Sequence, residues 1–496
     1  KISLHHKAID TSRIIPLLNS IYNAPPREFS SFTIKTSSHH KALNTSRILQ
    51  RLSLRSNEQE LRLSGFALRE GLRYGKNGGG VDGGGFSLHC RNICYLHEKL
   101  PDNFNLARDV VQPLAHAKGN KPCLIFSDGK NNREEVTYRQ LFDSSVHLAT
   151  ALRSSSINSH GSSHTVSSGG QQRATNTLKI ALVIVPKIPA WWVINIAAYW
   201  YGFTVCPGTS LLRGKDLHYR LAQSGANCVF CGPGHVSAID QAEENLGKKG
   251  QLQKVVVAAP TEFNVRGWVR YEDLVTAGAS MTPTPCHEHQ PGDICQLFFT
   301  SGTTGNPKMV PHTHASYARG QQITARTWLD MKEDDVLCNV SDTGWAKAAW
   351  SFLYVPLLSG ATAFIHQMER FEPKLLLEAL HQEGVSVMCA PPTAYRALVQ
   401  MPLQDYTFRR LRHCVSAGEP LNPEVMKIWA SKTGVEVYEG YGQSETTLIC
   451  ATMPGMTIKP GAMGPAAPGY QITVLDDNLD ELPSGQEGQI AIRAGK

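Results

Sequence analysis

The residues best placed to do chemistry lie in one short run, Gln296-Leu297-Phe298-Phe299-Thr300-Ser301-Gly302-Thr303-Thr304-Gly305-Asn306-Pro307-Lys308. Its bulky apolar residues read as a buried strand. The small residues that follow let successive backbone N–H groups turn inward and form a concave anion site, and Lys308 adds the point charge that a polyphosphate needs. An ordinary Gly/Ser-rich turn is the plain alternative. Against it, hydroxyls at Thr300, Ser301, Thr303 and Thr304, glycines at Gly302 and Gly305, then Asn306, Pro307 and the lysine, all fall within nine residues. The run is not the Gly-x-x-x-x-Gly-Lys-Ser/Thr loop of strand-to-helix nucleotide hydrolases, because Pro307 precedes the lysine and Met309 follows it.

A second block, Tyr438-Glu439-Gly440-Tyr441-Gly442-Gln443-Ser444-Glu445-Thr446, lies further along the chain. Thr300 to Lys308 resembles the phosphate loop of the adenylate-forming superfamily of acyl-CoA synthetases, peptide-synthetase adenylation domains and luciferases. The second block is similar to that family's Tyr-Gly-x-Ser/Thr-Glu motif, which closes over AMP and holds magnesium. Ser341-Asp342-Thr343-Gly344-Trp345, Lys459-Pro460-Gly461-Ala462-Met463-Gly464 and Pro101-Asp102-Asn103-Phe104-Asn105-Leu106-Ala107-Arg108-Asp109-Val110 are similar to the medium-chain acyl-CoA synthetases. The resemblance covers roughly residues 99 to 496.

It implies a carboxylic acid, ATP, Mg2+ and coenzyme A as reactants and cofactor. A fatty carboxylate has a pKa near that of a Glu side chain, about 4.3, so it is already an anionic nucleophile and no general base is required. The task is to bring that anion to the α-phosphorus and release pyrophosphate, which calls for positive charge and placed N–H donors. By resemblance, Thr300–Lys308 cradles the phosphates with Lys308 as the catalytic cation. Glu445 holds magnesium through oxygen, as that ion prefers, and Ser444 contacts the α-phosphate or acyl oxygen. Tyr441 stacks on adenine within an AMP-binding block that includes Glu439, Gly440, Gly442 and Gln443, and Gly418-Glu419-Pro420 lines the base. Trp345 and Ala417 face the acyl group. Taken singly, Glu445 reads as a solvated helix-start carboxylate, Tyr441 as a core aromatic and Trp345 as a buried tryptophan packed on the sheet. His312 and His314 read as exposed residues at a helix start.

Two departures from the family pattern matter. Ala417-Gly418-Glu419 stands where medium-chain enzymes often carry Gly-Gly-Glu, and the added methyl would shorten the tunnel or favour a flat aromatic acid. The chain also stops at Lys496, ahead of the family's ribose aspartate, hinge and lysine-bearing mobile C-terminal domain. The expectation is therefore a fragment of a medium-chain acyl-CoA synthetase, an acid-thiol ligase. An aryl-CoA ligase and a non-catalytic nucleotide-binding fragment are the alternatives.

These motifs need elements to hold them. From Leu178 onward short apolar strands alternate with helical stretches: Leu178 to Val185 then Trp191 to Trp200, Phe203 to Cys206 then Lys215 to Gln223, Asn227 to Cys231 then a helix to Leu246. The rhythm resumes at Val336 to Val340, Thr362 to Ile365, Val385 to Cys389 and Arg412 to Ser416. Alternation of this kind predicts an α/β fold of two stacked, mostly parallel subdomains, with a small β-rich piece from Gly461. The ligand is expected beyond the carboxyl ends of the strands. Residues 98–460 form the expected AMP-binding domain, residues 461–496 the start of the β-rich piece, and 154–177 a low-complexity surface loop.

The 496 residues, 41% of them apolar, suffice for a large core. The net charge of +7 owes much to a basic, acid-poor segment before residue 56. With the glycines of 75–85 it makes residues 1–97 presequence-like and points to the mitochondrial matrix. His5–Leu18 recurs imperfectly as His39–Leu52, too few copies for a solenoid. Twelve cysteines scattered through apolar runs argue for a reducing compartment. Cys228-Val229-Phe230-Cys231 reads as core packing, and Cys286-His287-Glu288-His289 as a solvated loop. Ile188 to Leu212 is broken by Asn195, Gly202 and Pro207, so no transmembrane helix is expected. Nothing points to a nucleic-acid partner.

Overall fold

A computed structural model describes residues 99–129, 132–159 (side chains to 154), 179–300, 305–368 and 370–493. The presequence-like segment, its repeat, most of the 154–177 loop, and Ser301, Gly302, Thr303 and Thr304 lie outside the described residues.

Seventeen strands are described: β1 (Pro122–Ser127), β2 (Arg133–Thr137), β3 (Ile180–Ile184), β4 (Thr204–Pro207), β5 (Cys228–Cys231), β6 (Gln253–Val256), β7 (Trp268–Arg270), β8 (Ile294–Thr300), β9 (Lys308–Thr313), β10 (Val336–Asn339), β11 (Thr362–His366), β12 (Val387–Ala390), β13 (His413–Ser416), β14 (Val437–Gln443), β15 (Thr447–Ala451), β16 (Ile472–Leu475) and β17 (Gln489–Ile492). One sheet runs β7-β6-β5-β3-β4-β8-β9 and is parallel except for the hairpin β8–β9. The other runs β15-β14-β13-β12-β10-β11-β1-β2, parallel in its middle and antiparallel at both edges. The pair β16–β17 makes a small antiparallel sheet of its own. The α/β class with a minor β piece is as expected. What differs is the place of β1 and β2: earliest in the chain, they join the second sheet, where Leu124 pairs in parallel with Ala363.

The strand β3 is buried at all five positions, as a central parallel strand covered on both faces must be. Helix α1 (Tyr138–Ser159) runs five residues beyond Ser154, into the segment expected to be loop. Helix α2 (Pro189–Tyr201) starts with proline at its first turn and ends at Gly202 in the left-handed region. It is apolar except for Asn195 and buried from Trp191 to Tyr201, as befits a helix inside the core. Trp192 Nε1 donates to Phe352 O at 2.9 Å, between β10 and β11, so a single core joins the layers of both sheets. At 13 residues α2 falls short of a bilayer, and no described helix is long and apolar enough to cross a membrane. Cys228 and Cys231 are fully buried core residues.

Candidate active site

Lys308 opens β9, the antiparallel partner of β8, and faces Thr300 across the hairpin. The expected phosphate loop is thus a hairpin connection at a sheet edge, and the edge position tolerates Pro311 within β9. Of that loop Thr300 is half-buried, Gly305 and Asn306 are exposed and Pro307 is half-buried. Tyr219 OH donates to Pro307 O at 2.9 Å and so anchors the exit of the loop. Gly305 has φ +113°, a conformation L side chains rarely adopt.

Side chains alternate along a strand, so Lys308, Val310 and His312 share one face of β9. The expectation of exposed histidines at a helix start fails here. The helix α3 begins only at His314 and runs to Ile323, and His314 is 3% exposed. The His312 imidazole Nε2–H donates to the carbonyl of Ser444 at 2.6 Å, and burial lowers its pKa.

Ser444 and Glu445 sit in the tight turn of a second hairpin, β14–β15. No helix follows Glu445, contrary to the plain reading of a helix-start carboxylate. Glycine is required at 442, since a Cβ there would lie 1.9 Å from Thr447 O, and at 440, where it would lie 2.6 Å from the Trp328 ring. Thr447 holds φ +75°, an outlier for a β-branched residue. It is braced by Tyr470, whose hydroxyl lies 3.2 Å from Thr447 Oγ1 and donates to Thr446 O at 3.2 Å. Across from it Gly320 of α3 leaves just the room its side chain needs: a Cβ would fall 2.6 Å from Thr447 Oγ1. Strain held at a turn by surrounding structure is a feature of functional sites. Tyr441 is half-buried and Gln443 exposed.

Two further ties complete the constellation. Glu439 is buried and turns its carboxylate to Leu421, whose N–H donates to Oε1 at 2.9 Å. Burial raises its pKa. The loop Gly418-Glu419-Pro420 is exposed, with Gly418 at φ +113° and Glu419 paired with Arg396 at 2.9 Å. Ala417 is buried, and its carbonyl accepts from Lys347 Nζ at 3.1 Å. Lys347 stands two residues after Trp345, which is 65% exposed and so is no core tryptophan. The Trp345 segment is wedged against the ends of β3 and β4, with Thr343 Oγ1 donating to Val185 O at 2.6 Å and Gly344 too close to Thr209 for any side chain.

The expected residues therefore gather at the carboxyl ends of parallel strands: β8 for the phosphate loop, β10 for Trp345, β13 for Ala417–Pro420. His312, Lys347, Thr447 and Tyr470 were missed by sequence reasoning. Among the described residues neither Lys308 nor Glu445 forms an ion pair, so a cation and a carboxylate stand exposed on two hairpins that His312 joins.

A family model described as AMP-binding enzyme matches residues 170–495. Acyl-coenzyme A synthetase ACSM3, mitochondrial, of Mus musculus is 38% identical over 403 residues, covering 80% of this chain and 65% of that protein. Acyl-coenzyme A synthetase ACSM4, mitochondrial, of Mus musculus is 37% identical over 399 residues, covering 79% and 65%. The chain thus spans about two thirds of the length of these curated relatives. Among solved structures, a Brucella canis acyl-CoA synthetase superposes with a TM-score of 0.68 at 24% identity, over 81% of this chain and 69% of that one. The anthranilate CoA ligase AuaEII, in complex with anthranoyl-AMP, gives 0.68 at 22%, over 80% and 70%. These two likenesses establish the fold alone. The match takes in both hairpins and agrees with the resemblance read from their motifs, and the chain belongs to the AMP-binding enzyme family.

Proposed function

We propose that this chain carries the adenylating site of an ATP-dependent acyl-CoA synthetase acting on a medium-chain fatty acid in the mitochondrial matrix. The carboxylate oxygen attacks the α-phosphorus of ATP, a new O–P bond forms, the α–β anhydride breaks and pyrophosphate leaves. The CoA thiolate then attacks the acyl carbonyl and AMP departs. The observation that carries this reading is the His312–Ser444 hydrogen bond, which seats the strand bearing Lys308 against the turn bearing Glu445. Lys308 meets the phosphate charge, and the exposed Glu445 carboxylate suits Mg2+, a hard cation that prefers oxygen. Magnesium would neutralise charge on the phosphates there. Glu439, Gly440 and Gly442 hold the hairpin in shape, Tyr441 and Gly418–Pro420 offer the adenine walls, and Ser444 the acyl or phosphate contact. Exposed Trp345 and buried Ala417, tied through Lys347, border the acyl group. The relatives' names support both the acyl-CoA chemistry and the mitochondrial location.

The test is hydroxylamine trapping of the acyl-adenylate with octanoate and with benzoate. Octanoyl hydroxamate formed in an ATP-dependent manner is the expected product. Trapping of benzoate alone would replace the fatty-acid reading by an aryl one, and no adenylate with either acid, despite ATP binding, would refute the synthetase.

A further inference from the structure

Residues 286–289, expected to be a solvated loop, lie instead along the C-terminal turn of α2. Helices end with carbonyls that lack intrahelical partners. Here the N–H of His287 donates to Trp200 O at 2.8 Å and the imidazole Nε2–H of His289 to Tyr199 O at 3.0 Å. His289 is 5% exposed. With its proton on Nε2, its Nδ1 is a lone-pair acceptor, buried and without a hydrogen-bond partner. Asp293 Oδ2, which accepts from the N–H of Gln290 at 2.8 Å, lies 3.6 Å from that Nδ1. Two acceptors thus face each other, one buried and one half-buried, and a cation between them would satisfy both.

A ring nitrogen of His287 completes the set, with the donor atoms of His287, His289 and Asp293 within 4.8 Å of one another. The His287 ring occupies space that only glycine leaves free, since a Cβ at Gly202 would lie 2.6 Å from its Cγ. Two donors on one tetrahedral zinc, each at about 2.0–2.1 Å, lie roughly 3.3–3.4 Å apart, close to the 3.6 Å found. A metal-bound histidine usually donates its other N–H to a carbonyl or carboxylate, as His289 does to Tyr199.

We propose that His287, His289 and Asp293 bind a divalent transition metal of the zinc type, with water as the fourth ligand. Two imidazoles and one carboxylate select zinc over magnesium, which separates this site from the nucleotide's cation. Asp293 immediately precedes β8, and its carbonyl accepts from the N–H of His314, which follows β9. The metal would therefore pin the base of the hairpin whose tip is the phosphate loop.

The test is zinc titration of the full chain after chelator treatment, read by calorimetry and by Tm, with cobalt absorption reporting the nitrogen ligands. His287→Gln and Asp293→Asn are the comparisons. The paired histidines at 5–6 and 39–40 offer other sites, so the reading is the loss of one equivalent. Both variants should lose that equivalent or weaken it at least about 10-fold, and the metal-linked rise in Tm should vanish, while excess Mg2+ should not displace zinc. If Asp293→Asn fails to fold, His287→Gln carries the test, because its ring makes no hydrogen bond among the described residues. Zinc bound equally by wild type and His287→Gln, or not bound at all, overturns the proposal.

Discussion

Replacing Gly442 with alanine tests whether the β14–β15 hairpin sets the reaction geometry. A Cβ at 442 would lie 1.9 Å from Thr447 O, 2.7 Å from Thr447 C and 3.0 Å from Leu448 Cα, all of them backbone atoms. Real Cβ contacts essentially never fall under 3.0 Å, so β15 must recede from β14 by about 1.1 Å or the turn between them must twist by as much. That turn carries Ser444 and Glu445. A misplacement of about 1 Å in a reacting constellation is worth up to about 10² in rate, and overpacking costs about 1–3 kcal/mol of stability. We therefore expect Gly442→Ala to fold with a lowered Tm, to bind ATP more weakly and to form acyl-adenylate on the order of 10² more slowly. The control is Gly434→Ala, at φ +73° with nothing within 4 Å of its Cβ. It should cost about 1 kcal/mol through backbone strain and leave adenylation unchanged. Wild-type ATP affinity and adenylation rate in Gly442→Ala would refute the reasoning. Equal losses in both variants would show that lowered stability, not geometry, is at work.

Lys308→Ala should leave Tm nearly unchanged, because the side chain is exposed and makes no ion pair among the described residues, yet cut adenylate formation by about 10²–10³; parallel losses of fold and rate would assign it a structural role. Glu445→Gln should raise the magnesium concentration needed for half-maximal adenylation, one anionic ligand having become neutral, and an unaltered magnesium titration would remove Glu445 from the metal. The pH dependence of stability should reflect His413, 4% exposed, whose Nε2–H donates to Trp328 O at 2.7 Å, with Arg412, Asp330 and Asp335 the charged groups around it. Burial lowers its folded pKa below the ordinary 6.5, so the unfolded chain takes up its proton first, and the stability it contributes is present above pH 6.5 and lost as the pH falls through the folded value. Denaturant midpoints from pH 7.5 downward should therefore drop less for His413→Gln, which keeps a donor for Trp328 O, than for wild type; superimposable slopes would contradict this.

The amino-acid sequence by itself determined the class of the fold and that both signature motifs follow strands. Strand and helix periods around β3, α2, β4 and β5 are strong because those elements are buried on all sides, and the positive φ of Gly305 is a backbone conformation that glycine meets without strain. Local signals could not say which sheet takes β1 and β2, because parallel pairing of Leu124 with Ala363 joins residues with no short-range relation. Nor could they show that the segment after Lys308 is an antiparallel strand and not a helix start, since Lys308 to Thr313 mixes polar and apolar residues and contains a proline. The ties that assemble the site are decided by the tertiary structure alone. His312 to Ser444, Glu439 to Leu421 and Lys347 to Ala417 are single hydrogen bonds between residues 18 to 132 positions apart. The first depends on how the two sheets pack on their shared core, and the other two on where strand ends of one sheet come to rest.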